Sequence, residues 1–260
     1  MLKYPFGLTF CVGAPRSGTT VVGSLLTEGP AAFPMLPECT YVTQIIRLYH
    51  EILHHSDPQR FTAFAKSDKI LAHSLSSSID SLIKTAHSHF AELPGSELIL
   101  KDPELTIYLD HLPLFFEKCK IVCVVRDPLH VIASMYKVFT KQGKSTTVDE
   151  LTTMIFNYYW RASESEAAKS GAMHFIDFEK IVEGDESEFA AIEQYLGYQI
   201  GRHGFGKTFF DFDKTDATHS PNYGQPIRRP PALETGLTDD EDARIRTAFS
   251  GYNLKYRWWS

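Results

Sequence analysis

The sequence predicts an α/β protein: a single P-loop-type domain in which helices flank a central parallel β-sheet, with a helical insertion after the first βα unit. Two observations carry this expectation. Short apolar runs recur at Leu8–Val12, Glu97–Leu100, Lys120–Val125 and Met173–Asp177, with helical patterning between them. Strands that alternate with helices assemble as a parallel sheet. The first run leads straight into a polar turn bounded by glycines, Gly13-Ala14-Pro15-Arg16-Ser17-Gly18-Thr19-Thr20, and then into a helix of small residues. That succession aims backbone N–H groups and a positive helix end at an anion.

Each element follows in order. After the first strand and helix, the stretch from about Phe33 to Pro94 has helical periodicity and many His and Ser residues. It is too long for a simple crossover and is expected to be an insertion that covers the site. Behind the third strand, Pro128–Lys141 opens with proline at a plausible first helical position. Val148–Lys169 reads as a second long amphipathic helix, and 201–231, rich in Gly, Pro and basic residues, as a long loop. No repeat or linker divides the chain, so residues 1–260 are expected to form one domain.

Composition narrows the functional classes. A chain of 260 residues with 43% hydrophobic content suffices for one sizeable core. A net charge of −6 provides no general attraction for nucleic acid and favours a neutral partner over a polyanion. The four cysteines have no metal-ligand spacing, and three of them lie in apolar surroundings typical of buried, reduced thiols. No signal peptide is recognisable and no apolar stretch approaches the roughly 18 residues of a membrane span. A soluble cytoplasmic protein is expected.

The loop keeps the two-glycine spacing of a nucleoside-triphosphate loop, yet Thr19 stands where that pattern requires lysine. Arg16, Ser17, Thr19 and Thr20 add donors of their own around Gly18. A second signal is Arg126, at the end of an apolar strand, with Ser134 eight residues on. Ligands of open parallel sheets bind at the carboxyl ends of strands, which places Arg126 at the same edge as Arg16. Arg126 then either faces that pocket or pairs with an acidic neighbour such as Asp127 or Glu104. Ser134 either reaches the pocket or packs its helix.

Two anion sites at different strand ends resemble those of the sulfotransferases that use 3′-phosphoadenosine 5′-phosphosulfate (PAPS). The segment PRSGTT is similar to their 5′-phosphosulfate loop, Arg126 with Ser134 to their 3′-phosphate pair, and LILKDPEL around Lys101 to the central-strand KDP of carbohydrate and protein-tyrosine members. The order and spacing agree over about Phe10 to Tyr136, half of the chain. The resemblance implies that Arg16, Ser17, Gly18, Thr19 and Thr20 hold the phosphosulfate, that Lys101 meets charge on the bridging oxygen, and that no metal takes part. Phenol and steroid members carry a histidine base two residues after that lysine, where this chain has Pro103. The resemblance therefore leans toward the bacterial carbohydrate or tyrosine type, in which a glutamate after the first helix is the base. Glu38 stands there, though it is also placed to cap the helix starting near Thr40, and Glu104 is a second candidate.

His50, His54, His55, His73 and His111 read as surface or helix-packing residues. Tyr41, Tyr49, Phe61, Phe64, Tyr136 and Phe139 are available to line a pocket for the hydroxyl acceptor, a carbohydrate or another small molecule. Arg202–Lys207 and His219–Arg229 are the segments with the character of a donor lid. A P-loop kinase or nucleoside triphosphatase, and a nucleotide-binding module without catalysis, are the competing classes. The missing lysine argues against the first, and the combination of Arg16, Lys101 and a candidate base argues against the second.

Overall fold

The structure, a computed structural model, describes residues 1–204, Thr208, Ile227 and 236–259. Strand β1 (Gly7–Gly13) leads into helix α1 (Thr19–Glu28). Three helices follow before the next strand: α2 (Thr40–His55), α3 (Pro58–Phe64) and α4 (Asp68–Ser88). Strand β2 (Glu97–Lys101) passes into a 3-10 segment (Glu104–His111), the short α5 (Leu112–Phe115) and β3 (Lys120–Val125). Then come α6 (Pro128–Lys141), α7 (Val148–Glu164), α8 (Glu166–Lys169) and β4 (Met173–Asp177). The remaining described elements are α9 (Phe178–Glu183), α10 (Glu186–Leu196), α11 (Asp239–Ala248) and α12 (Ser250–Tyr256).

The described strands form one parallel sheet in the order β2-β1-β3-β4. All four expected strands are present within a residue or two of their expected limits. β1 and β3 are buried along nearly their whole length, as their unbroken apolar runs require of parallel strands covered on both faces. Register places Cys11 opposite Lys101 on one side and Val122 on the other, and Gly13 opposite Val124. The carboxyl ends of β1, β2 and β3 thus share an edge. From β1, the chain reaches β2 on one side and β3 on the other, and that reversal of strand order opens the crevice where α/β sheets bind ligands.

One apolar cluster unites β1 and β2 with α2, α4 and α5 through Phe10, Ile46, Ile79, Leu100 and Phe115. A second joins the sheet to α1 and α10 through Val22, Leu25, Val122 and Phe189. A third packs α6, α7 and α11 together. Two helix starts sit where sequence chemistry places them. Asp127 accepts a hydrogen bond from the Leu129 N–H at 2.9 Å, with Pro128 in the first turn of α6. Thr147 and Glu150 form a reciprocal capping box at α7.

Two expectations are corrected. The single helix expected over Val148–Lys169 is broken at Ser165, whose backbone is extended (φ −62°, ψ 148°). The Ser165 hydroxyl accepts from the Ala168 N–H at 3.2 Å and starts α8 as a new N-cap. Tyr49 does not line an acceptor pocket: it is fully buried in the core with its ring edge-on to Phe115. Cys11 of β1 and Cys123 of β3 are buried, and burial pushes the Cys11 thiol up to about 12, against the opposing influence of Lys101. A thiol held protonated in this way packs and does not act as a nucleophile. Among the described residues, no helix is long and apolar enough to cross a membrane.

Candidate active site

The loop after β1 is shaped by backbone that only glycine takes without strain. Gly13 (φ 142°) lies so close to β3 that a Cβ there would sit 2.5 Å from the Val124 carbonyl oxygen. Thr106 fixes it, accepting from the Gly13 N–H at 2.8 Å and donating to its carbonyl at 3.2 Å. Arg16 has a positive φ of 71°, a conformation that costs a non-glycine residue energy and is retained where the surroundings enforce it. Ser17 is buried, with its N–H bonded to Ala14 O at 3.0 Å. Gly18 (φ 103°) is the N-cap of α1, which has no side-chain cap and no acidic residue in its first turn. Neither a capping side chain nor a carboxylate of its own first turn therefore offsets the positive end of α1.

Gly18 also touches the second half of the site. A Cβ at this position would lie 2.2 Å from the Phe178 ring, which stacks under the Arg126 guanidinium at 4.8 Å. Gly18→Ala is expected to destabilise the fold by about 1–3 kcal/mol from backbone strain alone, and to weaken anion binding by displacing Phe178. Urea denaturation and phosphate-ligand titration of the same variant check both effects. An unchanged unfolding midpoint contradicts this account of the loop.

At the end of β3, Arg126 donates through Nη1 to the Arg16 carbonyl at 3.2 Å, and Arg16 Nε donates to Ser134 Oγ at 3.2 Å. Arg16, Arg126 and Ser134, 118 residues apart at the extremes, thus converge. The pairing of Arg126 with Asp127 or Glu104 entertained from sequence is replaced. Among the described residues its ion-pair partner is Glu179, with Oε1 at 3.9 Å from Nε, a distance too long for a hydrogen bond. Asp127 caps α6, and Glu104 is held by Arg47 and Gln44 of α2, each at 3.3 Å. Arg126 Nε is buried without a hydrogen-bond partner among the described residues. Burial, the largest influence, disfavours the Arg126 cation, Glu179 offsets it, and the neighbouring Arg16 charge adds to the penalty. Two adjacent guanidinium-bearing side chains with one donor unsatisfied form a site that an anion would stabilise.

At the end of β2, the Lys101 ammonium donates to Glu38 Oε1 at 2.7 Å and to Thr20 Oγ1 at 3.1 Å. The lysine side chain is 6% exposed and the glutamate 49% exposed, so the pair presents its carboxylate outward from the crevice floor. Backbone fixes this meeting, because the Cys39 N–H donates to the Lys101 carbonyl at 2.9 Å. The N-cap of α2 is Cys39, which leaves Glu38 turned to Lys101 and not to the helix end. Asp102 strengthens the junction: it is buried, accepts from Thr43 Oγ1 of α2 at 2.7 Å and from the Glu104 N–H at 2.9 Å. Thr19 is buried, its carbonyl accepting from the Cys11 thiol at 3.6 Å.

Of the residues expected from sequence, Lys101, Glu38 and Thr20 form one group, and Arg16, Arg126 and Ser134 the other. Glu104 is directed to the outer face of α2. Thr106, Asp102, Glu179, Phe178 and Tyr159 were not foreseen as site residues. Tyr159 clamps Arg126 from α7, its hydroxyl accepting from the Arg126 N–H at 3.2 Å and donating to the Arg126 carbonyl. Asp102 lies inside the KDP segment and was legible there. Glu179 and Tyr159 carry no local sequence signal. Of the lid segments, only Arg202, His203, Gly204 and Ile227 are among the described residues, so Lys207 and most of His219–Arg229 lie outside them.

A family model described as "Sulfotransferase family" matches residues 9–201. The chain belongs to the sulfotransferase family. Solved structures agree on the fold. The sulfotransferase domain from the Synechococcus PCC 7002 olefin synthase is 17% identical, with a TM-score of 0.55 and 95% of each chain covered. The sulfotransferase domain from the curacin biosynthetic pathway is 17% identical, with a TM-score of 0.52, covering 96% of this chain and 99% of the other. Sulfotransferase STF9 from Mycobacterium avium is 15% identical, with a TM-score of 0.52, covering 98% of this chain and 77% of the other. No curated protein matches the chain.

Proposed function

We propose that this sulfotransferase moves a sulfuryl group from PAPS to a hydroxyl of a carbohydrate or another small neutral acceptor, with residues 1–260 acting as one domain in the cytoplasm. The observation that carries the reading is the contact of Lys101 with both Glu38 and Thr20, beside the loop that starts α1. The α1 N-terminus and Arg16, Ser17, Gly18, Thr19 and Thr20 hold the phosphosulfate. The unsatisfied Nε of Arg126, with Ser134 and Arg16 alongside, receives the 3′-phosphate.

In the transfer, the acceptor oxygen attacks sulfur in line with the bridging S–O bond. Glu38 takes the hydroxyl proton as the new S–O bond forms. The old bond breaks with its electron pair going to the 5′-phosphate oxygen, where Lys101 neutralises the growing charge. The products are the sulfated acceptor and 3′,5′-ADP. All charge neutralisation in this step comes from side chains and the helix end, with no metal needed.

Incubation with PAPS labelled in its sulfate, against a panel of sugars and small alcohols, tests the reading. Label is expected in at least one acceptor, and 3′,5′-ADP is expected to raise the melting temperature more than ATP with magnesium. Absence of transfer together with stabilisation by magnesium-ATP alone would overturn the proposal.

A further inference from the structure

Away from the crevice, three histidines from two segments meet. His50 and His54 are one turn apart on α2, with ring centroids 4.4 Å apart. His111 ends the 3-10 segment after β2, and its Nε2 lies 2.8 Å from His50 Nδ1. One ring nitrogen from each of the three falls within 4.8 Å of the others. The His111 ring is set by the core, with the buried Tyr49 ring edge-on to it at 5.0 Å. His54 is exposed, which leaves the cluster open to solvent on one side. We propose that His50, His54 and His111 form a binding site for a divalent transition metal of the zinc class, with water as the fourth ligand.

Imidazole nitrogen suits zinc and its neighbours in the transition series, not magnesium or calcium, which take oxygen. Histidines at i and i+4 on a helix, joined by a third from elsewhere, form a three-ligand set that leaves one position open. Zinc–nitrogen bonds of about 2.0–2.1 Å place tetrahedral ligand atoms roughly 3.4 Å apart. The His50–His111 pair must open slightly, and the widest pair, within 4.8 Å, must close by up to about 1.4 Å. Rotation of the exposed His54 ring supplies most of that movement. Glu51 and Asp110 add negative charge near the cluster and Arg161 adds positive charge.

His50 lies ten residues along α2 from Thr40, about 15 Å of helix, so the metal stays away from the sulfuryl group. Its effect is mechanical: it ties α2 to the turn after β2, the two segments that carry Glu38 and Lys101 to their meeting. The proposal stands independently of the transfer reading.

Calorimetric titration of the untagged, metal-stripped chain with zinc chloride and with magnesium chloride tests it, followed by the visible spectrum with cobalt(II). One equivalent of zinc is expected to bind and raise the melting temperature, magnesium is expected to do neither, and cobalt is expected to show the absorption of a four-coordinate site. His54→Ala, at an exposed position that spares the fold, should lower zinc affinity at least about tenfold and abolish the cobalt spectrum. His73→Ala, an exposed histidine of α4, should change neither. Failure of the unmutated chain to bind zinc stoichiometrically, or unchanged affinity in His54→Ala, would overturn the site.

Discussion

Glu38→Gln is expected to lower kcat by about 10²–10⁴, the range for loss of a positioned base, while 3′,5′-ADP binds as before. The substitution keeps an oxygen to accept from the Lys101 ammonium, now 2.7 Å from Glu38 Oε1, so the geometry survives and the basicity does not. Stability should fall by about 1–3 kcal/mol, because the neutral amide is a weaker partner for the nearly buried Lys101 ammonium. Steady-state kinetics with saturating donor, alongside thermal melts, separate the two effects. Near-normal turnover would remove Glu38 from the chemistry. Glu104 would be a poor heir, since Arg47 and Gln44 already hold its carboxylate on the outer face of α2.

Lys101→Met should cost about 10²–10³ in kcat, the usual result of deleting a group that stabilises charge formed in the transition state. Methionine fills the buried channel of the lysine stem, so the fold is retained and the loss is electrostatic. The lysine is nearly buried between Thr20 and Glu38, where a charge acts more strongly than at the surface. Because Glu38 and Lys101 touch, the double variant is expected to lose less than the product of the two single losses. Pre-steady-state measurement of the chemical step checks this. Fully multiplicative losses would mean that the two residues act independently, contrary to the contact between them.

Much of this was legible in the sequence because the relevant signals are local. The four strands are short apolar runs with abrupt ends, and Pro128 after Asp127 marks the start of α6 unambiguously. The loop residues announce themselves by two glycines at fixed spacing within a strand–turn–helix context. Lys101 and Glu38 stand 63 positions apart, yet each lies at the boundary of an element, where side chains reach the sheet edge.

What stayed hidden depends on tertiary packing. Glu179 approaches Arg126 only because β4 lies next to β3, a neighbour relation that periodicity does not encode. Tyr159 looks like any aromatic on an amphipathic helix until α7 lays it against the Arg126 backbone. The histidine cluster was invisible for the same reason, since its third member arrives from a segment 57 residues beyond His54. Residue 165 misled in the opposite direction: a serine inside helical periodicity reads as tolerated, and here its hydroxyl stops one helix and caps the next.

The two anion sites proposed for this crevice match a nucleotide bearing phosphate at both 3′ and 5′ positions. Calorimetric comparison of 3′,5′-ADP with 5′-AMP, on the unmutated chain and on Arg126→Ala, measures that match. A charge-assisted contact to phosphate contributes about 1.5–3 kcal/mol, so the unmutated chain is expected to prefer 3′,5′-ADP by roughly 10–100-fold or more, and Arg126→Ala to lose most of that preference while binding 5′-AMP almost unchanged. Equal affinities for the two nucleotides in the unmutated chain would rule out a dedicated 3′-phosphate site at Arg126.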